Sequence, residues 1–160
     1  MRYEQIGEVI GSTPLIRVDA LLPEAARAKG IHLFAKVELL GPTGSIKDRT
    51  AKALIDDLLF KGLLTPGKEL LEPTSGNTGA ALAVHAAARS IPLTLVMPAN
   101  VTEERRAFVR ALGATIIDSP ADQGSNGAVV LARAMAKGDT KYVMPDQYSN
   151  QANPKVHEVT

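Results

Sequence analysis

Between residues 69 and 144, four short apolar runs alternate with stretches that carry the apolar periodicity of helices. Parallel strands need long crossover connections, which helices usually supply, so this alternation predicts βαβ units. The four runs span residues 69–71, 93–97, 114–117 and 142–144, and Gly, Pro or Asp flanks each of them. The chain is therefore predicted to have an α/β fold, with helices on the faces of a mostly parallel sheet.

Other segments predict the remaining helices and strands. Apolar residues recur every three or four positions in 51–59, which predicts a helix that stops at Gly62. Further helices are predicted at 79–89, at 102–112 with Thr102 as its cap, and at 127–137, and further strands at 15–18 and 33–39.

The end of the chain looks unfinished, because 150–154 is predicted to be a loop and 155–160 begins an element that is not completed. We therefore expect a chain that holds only part of a larger fold. We divide it into residues 1–65, which begin a first domain, residues 66–148, which form a small α/β domain, and residues 149–160, which start a return to the first domain.

The composition argues against several classes of function. The net charge is +1 and aromatic residues make up 4% of the chain, without Trp, which is atypical of nucleic-acid-binding proteins. The chain has no Cys, so disulfides, thiolate nucleophiles and zinc–thiolate sites are excluded. The three His residues lack the spacing of a metal site, and no apolar run approaches the roughly 18 residues of a membrane span. These features are compatible with a cytoplasmic location.

A Gly-rich segment, residues 41–49, places Lys47 just before the first clear helix. Ser45 and Asp48 have the spacing of a capping box, which predicts Ser45 as the N-cap and Lys47 in the first turn. The helix dipole disfavours a cation there and favours the neutral amine, the form that attacks an aldehyde. Taken alone, these residues more often mean an exposed lysine in a Gly/Pro loop. A P-loop is excluded because Asp48 follows the lysine.

A second segment, residues 74–79 with the sequence TSGNTG, joins a predicted strand to an Ala-rich helix. Free backbone N–H groups at a helix N-terminus attract anions, and the hydroxyl and amide side chains here add donors. Gly76 and Gly79 would let the backbone approach a ligand closely. The residues by themselves leave two explanations about even: a carboxylate or phosphate site, and a helix cap that binds nothing.

Taken together, these segments resemble enzymes that use pyridoxal 5′-phosphate (PLP) and have fold type II, the fold of the tryptophan synthase β subunit. Within that fold, the chain is most similar to the cysteine synthases (O-acetylserine sulfhydrylases), nearer their B branch. The stretches that carry the resemblance occur in the family's order and are residues 10–15, 42–49, 72–79, 97–98, 104–106 and 112–114, Gln147, and residues 152–154.

The resemblance implies a role for each site residue. Lys47 is expected to form the Schiff base with PLP and to move the substrate α-proton, and Asn77 to hydrogen-bond the phenolic oxygen of PLP. The expected substrate-binding residues, which clamp the α-carboxylate, are Thr74, Ser75, Gly76, Asn77, Thr78 and Gln147. The implied reaction makes L-cysteine from O-acetylserine or O-phosphoserine and a sulfur donor. The implied protein is a cytoplasmic homodimer without metal, nucleic-acid or membrane partners.

The resemblance also implies that a part is missing. The family's phosphate-binding loop lies in the second half of the fold, after residue 160, so this chain is expected to be an N-terminal half. Residues 1–65 then begin the large PLP-binding domain, and the chain alone is expected to bind PLP weakly and to be inactive. The alternatives are a cystathionine β-synthase, a threonine synthase, a serine or threonine dehydratase, or an inactive truncated binding module.

Overall fold

The computed structural model describes residues 2–159, which form a four-stranded parallel sheet, a separate two-stranded hairpin and six α-helices. The strands are β1 (Leu15–Arg17), β2 (Phe34–Lys36), β3 (Glu69–Pro73), β4 (Leu93–Pro98), β5 (Thr115–Ser119) and β6 (Tyr142–Val143). The helices are α1 (Glu24–Arg27), α2 (Lys47–Phe60), α3 (Asn77–Ala88), α4 (Glu103–Ala111), α5 (Gly124–Gly138) and α6 (Ala152–Val159).

The parallel sheet has the strand order β5–β4–β3–β6, and helices cover both of its faces. Alternate side chains of a strand point to opposite faces, so neighbouring residues of β3 enter different cores. Leu70 packs with helices α2, α3 and α4 on one face, whereas Leu71 packs with α5 on the other. Burial on both faces explains why β4 is almost continuously apolar, whereas β3 carries Glu69 and Glu72 among its five residues.

The N-terminal segment is held differently. Strands β1 and β2 pair antiparallel, with Leu15 opposite Lys36, and no residue between 2 and 44 is buried. Arg49 of α2 fastens this segment to the rest of the chain. Its guanidinium donates to both carboxylate oxygens of Glu38, at 2.8 and 2.9 Å, and to the hydroxyl of Thr13 at 3.0 Å. A polar clasp, rather than an apolar core, therefore anchors the hairpin.

The predicted α/β fold with a parallel sheet and flanking helices is confirmed. Several element bounds differ from the prediction. Strand β2 is shorter than 33–39, because a 3₁₀ turn follows at Glu38–Leu40. Helices α3 and α5 begin earlier than predicted, at Asn77 and Gly124. The division into residues 1–65, 66–148 and 149–160 stays a prediction, and helix α2 shares its apolar core with α3 and β4.

The predicted loop at residues 150–154 is wrong, because helix α6 begins at Ala152. The side chain of Asn150 accepts a hydrogen bond from the Ala152 N–H at 3.0 Å, which satisfies one of the free donors of the helix start. Pro154 lies in the first turn, where its missing N–H has no helical partner to lose. Proline therefore did not end the helix here.

Among residues 2–159, no helix is long and apolar enough to cross a membrane.

Candidate functional site

The loop between β3 and α3 lies at the carboxyl end of the parallel sheet. The Thr74 N–H donates to the Val96 carbonyl at 3.0 Å, which continues the strand pairing by one residue. Gly76 occupies the N-cap position of α3 and has no side chain that could satisfy the helix. The N–H groups of Asn77 and Thr78 consequently have no hydrogen-bond partner among residues 2–159. Open donors at a helix start are suited to an anion.

Most of the predicted substrate-binding residues border one cavity of about 200 Å³. Those that line it are Thr74, Ser75, Gly76, Thr78 and Gln147. Gln147 comes from the loop after β6, and its side-chain oxygen accepts a hydrogen bond from the Thr78 hydroxyl at 2.7 Å. The structure therefore brings Gln147 to the 74–78 loop, although 69 residues separate Gln147 from Thr78.

Asn77 lies on a second cavity, of about 460 Å³, which Ser75 and Gly76 also border. Apolar side chains of α3, β4 and α4 form much of its wall, and Thr43 reaches it from the lysine segment. Lys47 itself is not a lining residue of this cavity. The structure thus places the segment 41–49 beside Asn77 through Thr43.

Lys47 is the first residue of α2 and is half-buried. Its backbone N–H donates to the Ser45 hydroxyl at 3.1 Å, while its Nζ makes no hydrogen bond or ion pair within the described part of the chain. The predicted capping box is wrong in its partners, because the Asp48 carboxylate accepts from the N–H and hydroxyl of Thr43, at 3.0 and 2.7 Å. Asp48 therefore holds the loop before the helix and leaves the lysine amine unpaired.

A chain of hydrogen bonds joins the first turn of α2 to the first turn of α3. The Thr50 hydroxyl donates to the Asn153 side-chain oxygen at 3.0 Å, and the Asn153 side-chain nitrogen donates to the Gln147 carbonyl at 2.9 Å. Thr78 then bonds the Gln147 side chain. The helix that begins at Lys47 is thus connected to the anion-attracting loop through α6.

His157 of α6 also lies near the lysine. Burial lowers the pKa of His157, and the positive charge of Lys47 lowers it further. Its Nε2 is 3.4 Å from the Thr50 hydroxyl. Lys47 thus has a mainly neutral imidazole near it rather than an acidic partner.

A family model described as "Pyridoxal-phosphate dependent enzyme" matches residues 6–160. The chain belongs to this family. Its sequence is 43% identical over 155 residues to the cysteine synthase of Aquifex aeolicus and 43% identical over 159 residues to cysteine synthase A of Salmonella typhi. These matches cover 96% and 99% of the chain, but 47% of each relative. The chain spans about half the length of the curated relatives that it matches.

A solved structure confirms the family's fold. The crystal structure of a cysteine synthase from Entamoeba histolytica superposes with a TM-score of 0.89 and 32% sequence identity. The match covers 98% of this chain and 47% of that structure. The incomplete fold type II predicted from the sequence therefore has a solved counterpart.

Within this PLP family member, sequence reasoning missed one polar residue beside the site, the Glu72 carboxylate on β3. Glu72 is fully buried, and its carboxylate accepts the backbone N–H groups of Asp146 at 3.0 Å and Gln147 at 3.2 Å. Burial raises its pKa to about 7, although both N–H groups favour the charged form. The sequence signal was an acid that directly follows the apolar pair Leu70 and Leu71 of a predicted strand, where a buried carboxylate needs a partner.

Two other charged residues of this PLP family member serve the fold rather than the cavity. The buried Arg49 and the partly buried Glu38 form a bidentate pair, and hydrogen bonds from Arg49 hold the pKa of Glu38 below its usual value. No group of three or more potential metal ligands was found among residues 2–159. His85 is fully buried in α3 and lies 3.2 Å from an Arg89 nitrogen.

Proposed function

We propose that this chain supplies the cofactor lysine and the substrate-carboxylate loop of a PLP-dependent cysteine synthase, which makes L-cysteine from O-acetylserine and a sulfur donor. The observation that carries the proposal is the hydrogen-bonded chain from Thr50 through Asn153 and Gln147 to Thr78. It ties the helix start that bears an unpaired lysine to a loop with open N–H donors.

Lys47 and Asn77 would hold the reactive end of PLP. The cofactor needs an amine to bond its aldehyde, and the Nζ of Lys47 has no competing ion pair among the described residues. The Asn77 side chain offers an amide donor for the phenolic oxygen from the adjoining cavity. When bound, PLP supplies an electron sink for the bonds at the substrate α-carbon. The same lysine amine would then take up and return the α-proton.

The cavity lined by Thr74, Ser75, Gly76, Thr78 and Gln147 would bind the substrate α-carboxylate. The open N–H groups of Asn77 and Thr78 point from a helix start, where a carboxylate gains about 0.3–1 kcal/mol from the helix dipole. The hydroxyls and the Gln147 amide add neutral donors. This cradle fixes the α-carbon relative to the lysine, which is what an oriented proton transfer requires.

Finer features of the proposal come from the resemblance alone. They are the use of O-phosphoserine in place of O-acetylserine, membership of the B branch, a cytoplasmic homodimer, and the inactivity of the chain by itself. The comparisons support the cysteine synthase assignment in general through relatives of which the chain covers about half.

Borohydride trapping tests the assignment of Lys47. PLP is added to the protein, the visible absorbance is recorded, the adduct is reduced, and the labelled lysine is mapped by mass spectrometry. We expect the label at Lys47, and we expect Lys47→Arg to abolish it because a guanidinium does not condense with the aldehyde.

The matched control is Lys52→Arg, on the same helix, where the lysine is already paired with Asp56 at 2.6 Å. It should keep the label at Lys47. A specific adduct at any other lysine of the wild-type protein would refute the proposed cofactor site.

A further inference from the structure

The turn that carries Gln147 depends on a side chain from a different strand. Strand β6 ends at Val143, so the chain leaves the sheet before it reaches Asp146. The N–H groups of Asp146 and Gln147 then bond the carboxylate of Glu72 instead of a strand carbonyl. Glu72 thus extends the pairing of β3 with its neighbour by means of a side chain.

The backbone at this turn adopts a conformation that needs support. Asp146 has a φ of +50°, which costs a non-glycine residue about 1–2 kcal/mol. Its carbonyl accepts from the N–H groups of Ser149 and Asn150, at 3.1 and 2.9 Å, which closes the turn on its far side. The N–H side of the turn is bonded by Glu72, so both sides are fixed.

Gln147 is constrained at two points. Its side-chain oxygen accepts a hydrogen bond from the Thr78 hydroxyl at 2.7 Å, and its backbone N–H donates to the Glu72 carboxylate at 3.2 Å. An amide whose oxygen accepts from a hydroxyl keeps the N–H donors of its nitrogen for a ligand. Residue 147 is thus held at its backbone by Glu72 and at its side-chain oxygen by Thr78.

We propose that Glu72 is the positioning residue for Gln147, because it fixes the turn that presents the Gln147 side chain for carboxylate recognition. This inference rests on the proposed substrate-binding role of Gln147. Among residues 2–159, Glu72 is not a lining residue of either cavity, and its carboxylate acts on the site through the backbone of Gln147. A buried carboxylate at this position is costly for stability, and its two backbone partners both belong to the turn.

Amide hydrogen exchange measured by NMR tests the positioning directly. We expect Glu72→Gln to speed exchange at the Gln147 N–H about tenfold, because a hydrogen bond to a charged group is lost. The contact between the Gln147 amide and Thr78 should weaken in the same spectra. Unchanged exchange and an unchanged contact would overturn the proposal.

The matched control is Glu69→Gln on the same strand. Glu69 bonds the Thr94 hydroxyl and pairs with Lys141 at 3.3 Å, away from the turn. This variant should leave exchange at Gln147 within about twofold of the wild type. An equal effect of both variants would mean that general loosening of β3 is responsible, and the proposal would be rejected.

Wild-type protein provides a test that does not depend on whether a variant folds. The NMR chemical shifts of the Glu72 carboxyl carbon and of the Gln147 backbone amide nitrogen are followed as the pH changes. Both shifts should change with the same midpoint. Among the described residues, Asp146 is the charged group that acts on Glu72, and its charge raises the Glu72 pKa. A Gln147 amide that does not respond while Glu72 titrates would contradict the inference.

Ligand binding then separates this inference from the proposed function. O-acetyl-L-serine is titrated into wild type, Glu72→Gln, Gln147→Ala and the double variant. We expect both single variants to weaken binding about tenfold and the double variant to be no weaker than Gln147→Ala. Additive losses would overturn the positioning role. If the wild type binds no O-acetyl-L-serine, the proposed carboxylate cradle of this chain is refuted, while the exchange measurement still decides what Glu72 does.

Discussion

At the scale of the residue, two ion pairs of this chain differ in how deeply they are buried. Arg49 has 3% of its side chain exposed, and its bidentate pair with Glu38 connects α2 to the N-terminal segment. Asp19 and Arg17 form a comparable pair at 2.5 Å, but the Arg17 side chain is 55% exposed. Both are pairs of an arginine with a carboxylate, and they differ in how much of the arginine is exposed. A comparison of the two pairs therefore tests how burial changes the contribution of an ion pair to stability.

We expect Arg49→Met to lower the free energy of unfolding by about 3 kcal/mol, because it leaves the Glu38 carboxylate, which is only 15% exposed, without its charged partner. Arg17→Met should cost less than about 1 kcal/mol, since solvent already screens that pair. Urea denaturation of both variants measures the difference. Similar losses for the two would show that burial does not govern these pairs.

Glu72 should give the protein an unusual pH dependence. Its folded pKa of about 7 lies above the ordinary 4.5, so the folded state holds the proton more tightly than the unfolded chain. This contribution is complete below about pH 4.5 and is lost as the pH rises to about 7. It amounts to about 3 kcal/mol.

The comparison of wild type with Glu72→Gln isolates this effect. Burial lowers the pKa values of His85 and His157. The contribution of each histidine to the stability of the protein is therefore lost as the pH falls below about 6.5, whereas the contribution of Glu72 is lost as the pH rises. Both histidines are present in the two proteins and cancel. Relative to the variant, the wild type should lose stability between pH 4.5 and 7 in chemical denaturation, and a constant difference would contradict the assignment.

At the scale of elements, helix α3 packs so closely on the sheet that only glycine fits at position 79. A Cβ built there would lie 2.8 Å from the Thr74 methyl and 3.3 Å from a Leu95 methyl. This approach places the start of α3 directly beside Thr74 of the proposed substrate-binding loop. The glycine is therefore explained by packing and not by backbone conformation.

Gly79→Ala should lower stability by about 1–3 kcal/mol through overpacking, with the loop displaced. Gly138→Ala, at the end of α5, meets no atom within 4 Å and should be neutral or stabilising by about 0.5 kcal/mol. Thermal unfolding of the two variants makes the comparison. A harmless Gly79→Ala would mean that the Thr74 side chain moves freely.

At the scale of the whole molecule, stability is distributed unevenly along the chain. No residue between 2 and 44 is buried, whereas all six residues of β4 are. Few buried contacts allow local opening without global unfolding. The hairpin of β1 and β2 should therefore open independently of the parallel sheet.

Hydrogen exchange with mass spectrometry should show amides of β1 and β2 exchanging at least about 100-fold faster than those of β4. Arg49→Met should increase exchange in the hairpin further, because the clasp on Glu38 is lost. Equal protection of the hairpin and β4 would show that the two segments unfold as one unit.

Much of this architecture follows from patterns that span only a few residues. Apolar runs alternating with helical periodicity predicted the parallel sheet, and the contiguous 74–79 segment predicted a loop with open donors at a helix start. These predictions were confirmed because strand and helix periodicity are local properties of a chain. Bounds were less predictable: Asn150 could start α6 despite Pro154 because a proline in the first turn gives up no hydrogen bond.

By itself, the sequence determined the α/β class, the position of Lys47 in the first turn of a helix, and the polar loop before α3. Only the tertiary structure decided the strand order β5–β4–β3–β6 and which distant groups meet. Glu72 reaches Gln147 across 75 residues, and Thr50 reaches Asn153 across 103. Such contacts are set by how helices pack on a sheet, and no local pattern encodes that packing.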